Sequence, residues 1–474
     1  MSDKNALIQP DRGQKAVSIH LVDKDGLEKF LKSLSVPQRA AIAANRFAGA
    51  ANDLAIIPDG DGDSDVWAVV AGVADTAALT TWCMARLAEK LPAGTYRRVG
   101  GEPGAAMLGW IAGQYSFERY LSEPGDEGPR VLLSGEPKTI DAVTAEAEAV
   151  MLVRDLVNTP AEDMGPAQLE TEAENLHKSY RAEIRITRGD LLERDFPMVH
   201  AVGRAASRSH APRMIELEWG DPAHPRVAIV GKGVCFDSGG LDIKPGAGML
   251  LMKKDMGGAA HALALADLLM QAGLPVHLKL LVPAVENAVG AGALRPGDII
   301  EAGDGRRVEI ENTDAEGRLL LADALHHAIR SAPTPPALLI DLATLTGAAR
   351  TALGPDLPAL FSNHDGWAEA LLAQGRAQAD PLWRLPLWAP YRRMLRSDQA
   401  DLLNAASTPQ GGAITAALFL ESFVPPELPW LHLDLFAWNL EERPGRPRGG
   451  EAQGLRALYA LLSQRFASAR NAFA

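Results

Sequence analysis

The stretch Val227-Ala228-Ile229-Val230-Gly231-Lys232-Gly233-Val234-Cys235-Phe236-Asp237 is an apolar run that ends on glycines, a lysine and an aspartate. Its start, with no polar alternation, reads as a strand buried on both faces, the habit of parallel sheets. Outward from it, β-like runs recur at 213–219, 276–282, 337–342 and 431–435, and stretches of helical period lie between them at 259–272 and 319–331. Buried strands joined by crossover helices imply an α/β fold with a mostly parallel central sheet sandwiched by helices. Sites in such sheets lie beyond the carboxyl ends of the strands. Lys232 and Asp237 fall at such a place.

At 474 residues the chain is too long for one ordinary core. We expect a small N-terminal α/β domain over residues 1–150 and a larger C-terminal catalytic domain over 151–474. The first part mixes short strands, Leu54-Ala55-Ile56-Ile57 and Val66-Trp67-Ala68-Val69-Val70, with a helix at 77–91. A helix at 139–157 leads to Asn158-Thr159-Pro160, where proline breaks it. Asp59-Gly60-Asp61-Gly62-Asp63-Ser64-Asp65 resembles a calcium loop superficially, but Ser64 and Val70 stand where such a loop needs Gly and Glu. It reads as a hairpin turn.

With 47% hydrophobic and 23% charged residues and no apolar run near the roughly 18 to 20 residues that span a bilayer, the chain reads as a cytoplasmic protein without a membrane partner. No secretory signal is apparent at its start. Cys83 and Cys235 are its two cysteines, so thiolate metal sites are excluded and any metal must be held by oxygen and nitrogen. A net charge of −13 disfavours nucleic-acid binding, which relies on clustered cations. The basic residues Arg443, Arg446 and Arg448 are surrounded by Glu441, Glu442 and Glu451 and read as a solvated loop.

The acidic segment Asn312-Thr313-Asp314-Ala315-Glu316-Gly317-Arg318 stands at the mouth of the apolar helix that begins with Leu319. Read as extended chain, it projects Asp314 and Glu316 to one side, and like charges aimed at one spot call for a cation. Asp237 before Ser238-Gly239-Gly240, and Asp255 before Met256-Gly257-Gly258, add carboxylates beside small residues that permit close approach. Lys232 is costly to bury as an ammonium unless paired. It is either one half of a structural ion pair or a neutral amine bound to metal, with its pKa depressed by burial and an adjacent dication. Together these residues read as a two-metal hydrolytic site. A phosphate-binding loop fails at Arg226 and Gly233, and His-Glu-x-x-His and Gly-x-Ser-x-Gly are absent. Ser238 as a nucleophile lacks a base that visibly reaches it, the nearest being His261.

The motif Asn-Thr-Asp-Ala-Glu-Gly-Arg-Leu at 312–319 resembles the signature of the leucyl aminopeptidase (cytosol aminopeptidase) family. Val230-Gly231-Lys232-Gly233, Phe236-Asp237-Ser238-Gly239-Gly240, Ile243-Lys244-Pro245, Lys254-Asp255-Met256-Gly257-Gly258 and Asp341-Leu342-Ala343-Thr344-Leu345-Thr346-Gly347 are similar to its other blocks, over residues 150–440. The resemblance implies a metal-dependent aminopeptidase that removes the N-terminal residue of peptides with a two-metal-activated water. It implies that Asp237 and Glu316 bridge two divalent ions, Zn²⁺, Mn²⁺ or Mg²⁺. Lys232 and Asp255 then complete the tighter site and Asp314 the looser one. It implies Lys244 as the electrophile on the oxyanion and Arg318 as the holder of a bicarbonate general base. Backbone around Thr344, Leu345 and Gly347 lines the substrate cleft, and the assembly is a homohexamer built as a dimer of trimers. Phe436 and Trp438 stand where the family usually has smaller residues, which leaves the side-chain preference open. Two other readings compete: a non-catalytic structural or regulatory relative, and a two-metal phosphoester hydrolase.

Overall fold

The computed structural model describes residues 7–59, 66–123, 125 and 128–467. It divides into two compact units, Met1–Met151 with Glu441–Arg448, and Leu152–Leu440 with Gly449–Ala474. The chain passes from the first to the second within the helix Pro137–Asn158, which stops before Pro160 as its sequence predicts.

In the first unit six strands pair in the order Ile8–Pro10, Arg130–Ser134, Gly94–Val99, Val17–Val22, Trp67–Gly72, Leu54–Pro58. All pairings are parallel except the last, where Leu54–Pro58 runs antiparallel to Trp67–Gly72 and Pro58 faces Trp67. These strands and the bond from Asp59 N–H to Val66 O, at 2.9 Å, are the flanks of a hairpin. Residues 60–65, on which the sequence reading of a hairpin turn falls, lie outside the described residues, as do 1–6. Two expectations need correction here. The helix read at 77–91 is confined to Ala85–Lys90, because Asp23 Oδ2 takes both the N–H and the hydroxyl of Thr76 and fixes the preceding stretch as loop. The arginines at 443 and 446 are not a solvated loop: they bridge each other across a tight turn, and Arg446 lies 4.2 Å over the Trp82 ring while Gly445 N–H donates to Glu89.

In the second unit nine strands form the central sheet. Its middle is parallel, in the order Trp430–Asp434, Leu338–Ala343, Arg226–Gly231, His277–Asn287, and Gly233–Asp237 joins the far half of His277–Asn287. Antiparallel strands flank it, Arg213–Trp219 on one side and Ala359–Ser362 on the other. Successive residues face opposite sides. Ala228 and Val230 thus pack with Leu319, Leu320 and Leu325 of the helix Gly317–Arg330. Gly231 turns to Ala259 and Ala262 of the helix Gly257–Gln271. The strand is buried from both faces, as the lack of alternation predicts.

One buried charge in this sheet sets an acid limit. Glu216 is 3% exposed and sits 3.0 Å from Lys279 Nζ, while His327 Nε2 lies 2.8 Å from the same carboxylate oxygen. Burial alone raises this carboxyl, but the His327 hydrogen bond and the Lys279 charge more than offset it and bring the pKa from 4.5 to about 2. Since the folded value lies below the unfolded one, the contribution is full above pH ~4.5 and fades as pH falls toward 2. Glu216→Gln is therefore expected to cost about 3 kcal/mol at pH 7, with the gap from the parent closing below pH ~4.5. Denaturant titrations of both proteins across this range check it; a gap that is under about 1 kcal/mol at neutral pH, or flat with pH, refutes the assignment.

Candidate functional site

The parallel strand Arg226–Gly231 hands the chain to Lys232, whose N–H donates to Leu342 O at 2.9 Å and whose carbonyl accepts from Ala259 N–H at 2.8 Å. Helix and sheet meet this closely because Gly258 has no side chain: a Cβ there would lie 2.0 Å from Leu342 O. A Cβ at Gly317 would likewise lie 2.7 Å from Lys232 Nζ, so glycine lets the amine reach the start of the next helix. Asp237 closes the strand Gly233–Asp237, Asp255 lies in the 3-10 turn Met252–Met256, and Glu316 caps Gly317–Arg330.

Carboxylate oxygens of Asp237, Asp255 and Glu316, all buried, lie within 4.8 Å of one another. Lys232 Nζ sits between them, 2.8 Å from Asp255 Oδ2 and 3.0 Å from Glu316 Oε1, and donates to Thr344 O at 3.0 Å. Lys244 Nζ lies 2.7 Å from Asp237 Oδ2 and pairs with Asp314. Of the two carboxylates of the 312–318 segment, Glu316 enters the cluster and Asp314 joins it through Lys244, but not along extended chain. Asn312 Oδ1 accepts the Asp314 N–H at 2.8 Å and Asn312 O the Ala315 N–H, which folds the segment into a turn, and Glu316 already has helical dihedrals.

The electrostatics follow from this crowding. Burial, then the Asp237 charge, pushes Glu316 up to about 8, against the pull of Lys232. Burial and Asp237 push Asp314 up to about 6, against Lys244. Burial opposes the Lys232 charge, but Asp255, Glu316 and Asp237 more than offset it and hold the ammonium above its ordinary range. Lys244 is raised in the same way, by Asp237 and Glu316. Of the two roles open to Lys232, these contacts favour the ion pair: Asp255 and Glu316 hold its amine charged rather than depressed. Arg318 is buried, with Nη1 donating to Asn404 O at 2.8 Å and Nε without a partner, and burial brings it down to about 10.

A cavity of about 510 Å³ holds the whole set: Lys232, Asp237, Asp255, Asp314 and Glu316, then Lys244 and Arg318, then Thr344, Leu345 and Gly347. The N–H of Leu345 is already taken by Asp434 Oδ1 at 2.9 Å, so of its backbone groups the carbonyl is left for a ligand. Phe436 lines the cavity, whereas Trp438 does not and is buried with Lys253 over its ring. A larger groove of about 860 Å³, bounded by Asn363, Arg384, Arg392 and Glu421, brings no carboxylate cluster together. Sequence reasoning missed Asn287. Its Nδ2 donates to Asp237 Oδ1 at 2.8 Å and approaches Glu316 Oε2 at 3.4 Å, so it orients two of the three clustered acids. A polar residue ending the apolar strand His277–Asn287 was the available signal. Thr344 likewise acts on the cluster, its hydroxyl donating to Asp255 Oδ1 at 2.7 Å. Ser238 and His261 do not meet. Ser238 Oγ donates to Asn287 O, and His261 is engaged by Gly257 O and Gln453 N–H.

The donor set suits hard divalent cations: four carboxylates, one amine and no thiolate. Asp255 Oδ2, although at ion-pair distance from Lys232, is buried without an aligned hydrogen bond and keeps lone pairs for a cation.

Residues 151–459 match the description of the cytosol aminopeptidase family, catalytic domain, and residues 17–132 that of the M17 aminopeptidase, N-terminal domain. A probable cytosol aminopeptidase of Syntrophotalea carbinolica is 41% identical over 373 residues, 75% of this chain and 74% of that protein. The crystal structure of a cytosol aminopeptidase from Coxiella burnetii superposes with a TM-score of 0.90 at 44% identity, over 97% of this chain and 99% of that one. The bottromycin maturation enzyme BotP in complex with Mn gives 0.84 at 33% identity, over 97% and 99%.

Proposed function

Because the chain belongs to the cytosol aminopeptidase family and is a metal-dependent aminopeptidase, we propose that Lys232, Asp237, Asp255, Asp314 and Glu316 hold its two divalent cations, Zn²⁺ or Mn²⁺ and alternatively Mg²⁺. The observation that carries this assignment is the buried acid cluster whose counter-charges are two lysine ammoniums. When bound, the cations supply Lewis acidity for the attacking water and the scissile carbonyl. Asp237 and Glu316 would be shared between the two cations, Lys232 and Asp255 would hold the more tightly bound one and Asp314 the more exchangeable one. Lys244, freed from Asp237 and Asp314, turns its ammonium to the oxyanion that develops on the substrate. Arg318, with a spare buried donor at the start of the helix Gly317–Arg330, would hold a bicarbonate, and the chemistry that group would supply there is that of a general base. Thr344, Leu345 and Gly347 line the bed of a peptide whose free α-amine docks at the acid cluster.

We place this activity in the cytoplasm, in a homohexamer acting on peptides with a free N-terminus and with no nucleic-acid or membrane partner. The net charge of −13 supports the exclusion of nucleic acid, and no described helix is long and apolar enough to cross a membrane. Residues 1–150 serve assembly and cleft shape, and residues 151–474 catalysis. A non-catalytic relative is disfavoured by the full donor set, and a phosphoester hydrolase by the relatives' names.

Chelation is expected to abolish hydrolysis of leucyl-p-nitroanilide, and added Mn²⁺ or Zn²⁺ to restore it. Activity that survives exhaustive chelation with no metal left by elemental analysis removes the two-cation reading.

A further inference from the structure

One wall of the catalytic cavity carries more positive charge than the mechanism uses. Lys254 Nζ lies 4.9 Å from the centre of the Phe436 ring and the Arg350 guanidinium lies 4.9 Å from the same centre. All three residues line the cavity. Lys254 is 5% exposed, and its ammonium makes no hydrogen bond or ion pair with any described residue. Arg350, on the helix Gly347–Leu353, has no carboxylate partner either.

The acids nearby are committed elsewhere. Asp255 serves Lys232 and Thr344, and Asp434 accepts from Leu345 N–H, Thr346 N–H and the Thr346 hydroxyl. Two like charges against one ring, one of them buried, are costly to leave uncompensated, and cation–π attraction offsets only part of that cost. An anion entering the cavity supplies the missing charge.

We propose that Lys254 and Arg350, held against Phe436, recognise a substrate carboxylate, so that the enzyme selects peptides that present one beside the scissile bond. This rests on the peptidase reading of the same site and specifies its substrate class. The carboxylate comes either from an acidic side chain on the N-terminal residue or from the C-terminus of a dipeptide. The first is favoured, because Lys254 directly precedes Asp255, in the acid cluster where the α-amine docks.

The test uses the full-length, manganese-loaded enzyme and reads ratios of kcat/KM: glutamyl- against glutaminyl-coumarin, and Leu-Ala against Leu-Ala-amide. One of the two ratios is expected to exceed about tenfold, the worth of one hydrogen bond to a charged group, and the ratio that does so identifies the source. The same ratio is expected to collapse toward one in Lys254→Met and in Arg350→Gln. Arg350 is exposed, so its variant reports even if the buried substitution misfolds. Both ratios within about twofold in the parent, or ratios unchanged in the variants, overturn the proposal. Leucyl-coumarin hydrolysis separates the two failures: if it proceeds without any carboxylate preference, only this proposal falls. If no substrate is cleaved, the peptidase reading falls, and calorimetric binding of glutamate against glutamine still decides carboxylate recognition.

Discussion

Glu316→Gln is expected to lower kcat by at least about 10³-fold, because it withdraws the charge proposed to bridge both cations, and two-metal stabilisation of a hydrolytic transition state is worth several kcal/mol. Glutamine keeps the shape and the acceptor that faces Lys232 Nζ at 3.0 Å. It also lowers the like-charge density among three carboxylates within 4.8 Å. The cation-free variant should therefore unfold no more easily than its parent, which separates loss of chemistry from loss of fold. Metal content should drop from two equivalents per subunit toward one. A variant that retains kcat within tenfold, or binds two equivalents as tightly as the parent, removes Glu316 from the ligand set.

The central sheet was legible because burial on both faces erases the polar alternation along a strand, and 227–230 shows none. The acid motifs were legible because carboxylates beside paired glycines make poor helix and poor core unless something positive holds them. Legibility failed where a side chain's partner is distant in sequence. Asn287 gives no local sign that it spans 50 residues to Asp237 and 29 to Glu316. The Lys254 and Arg350 pair exists only because Phe436 is brought between two other segments. The turn at Asn312 failed for a different reason: an Asx bond from the side chain competes with the extended chain, and charge pattern alone does not distinguish the two. Arg443, Arg446 and Arg448 read as a solvated loop because the aromatic contact of Arg446, with Trp82, lies far back in the chain.

The amine of Lys232 admits two roles, counter-ion or ligand, and removing it distinguishes them. Without cations, Lys232→Met leaves Asp255 Oδ2 buried with neither an ion pair nor an aligned hydrogen bond. Breaking one side of a buried pair costs about 3–5 kcal/mol. In chelator the variant should therefore melt on the order of 10 °C below its parent. Saturating Mn²⁺ supplies the positive charge that the lysine otherwise provides, so the gap should narrow to a small fraction of that, while a higher Mn²⁺ concentration is needed to reach it because one donor is gone. Activity should stay depressed even at saturation. The decisive comparison is the Tm gap with and without the cation. An equal gap in both conditions means that Lys232 is an ion pair in the loaded enzyme too, and the tighter position then has to be built from carboxylates alone.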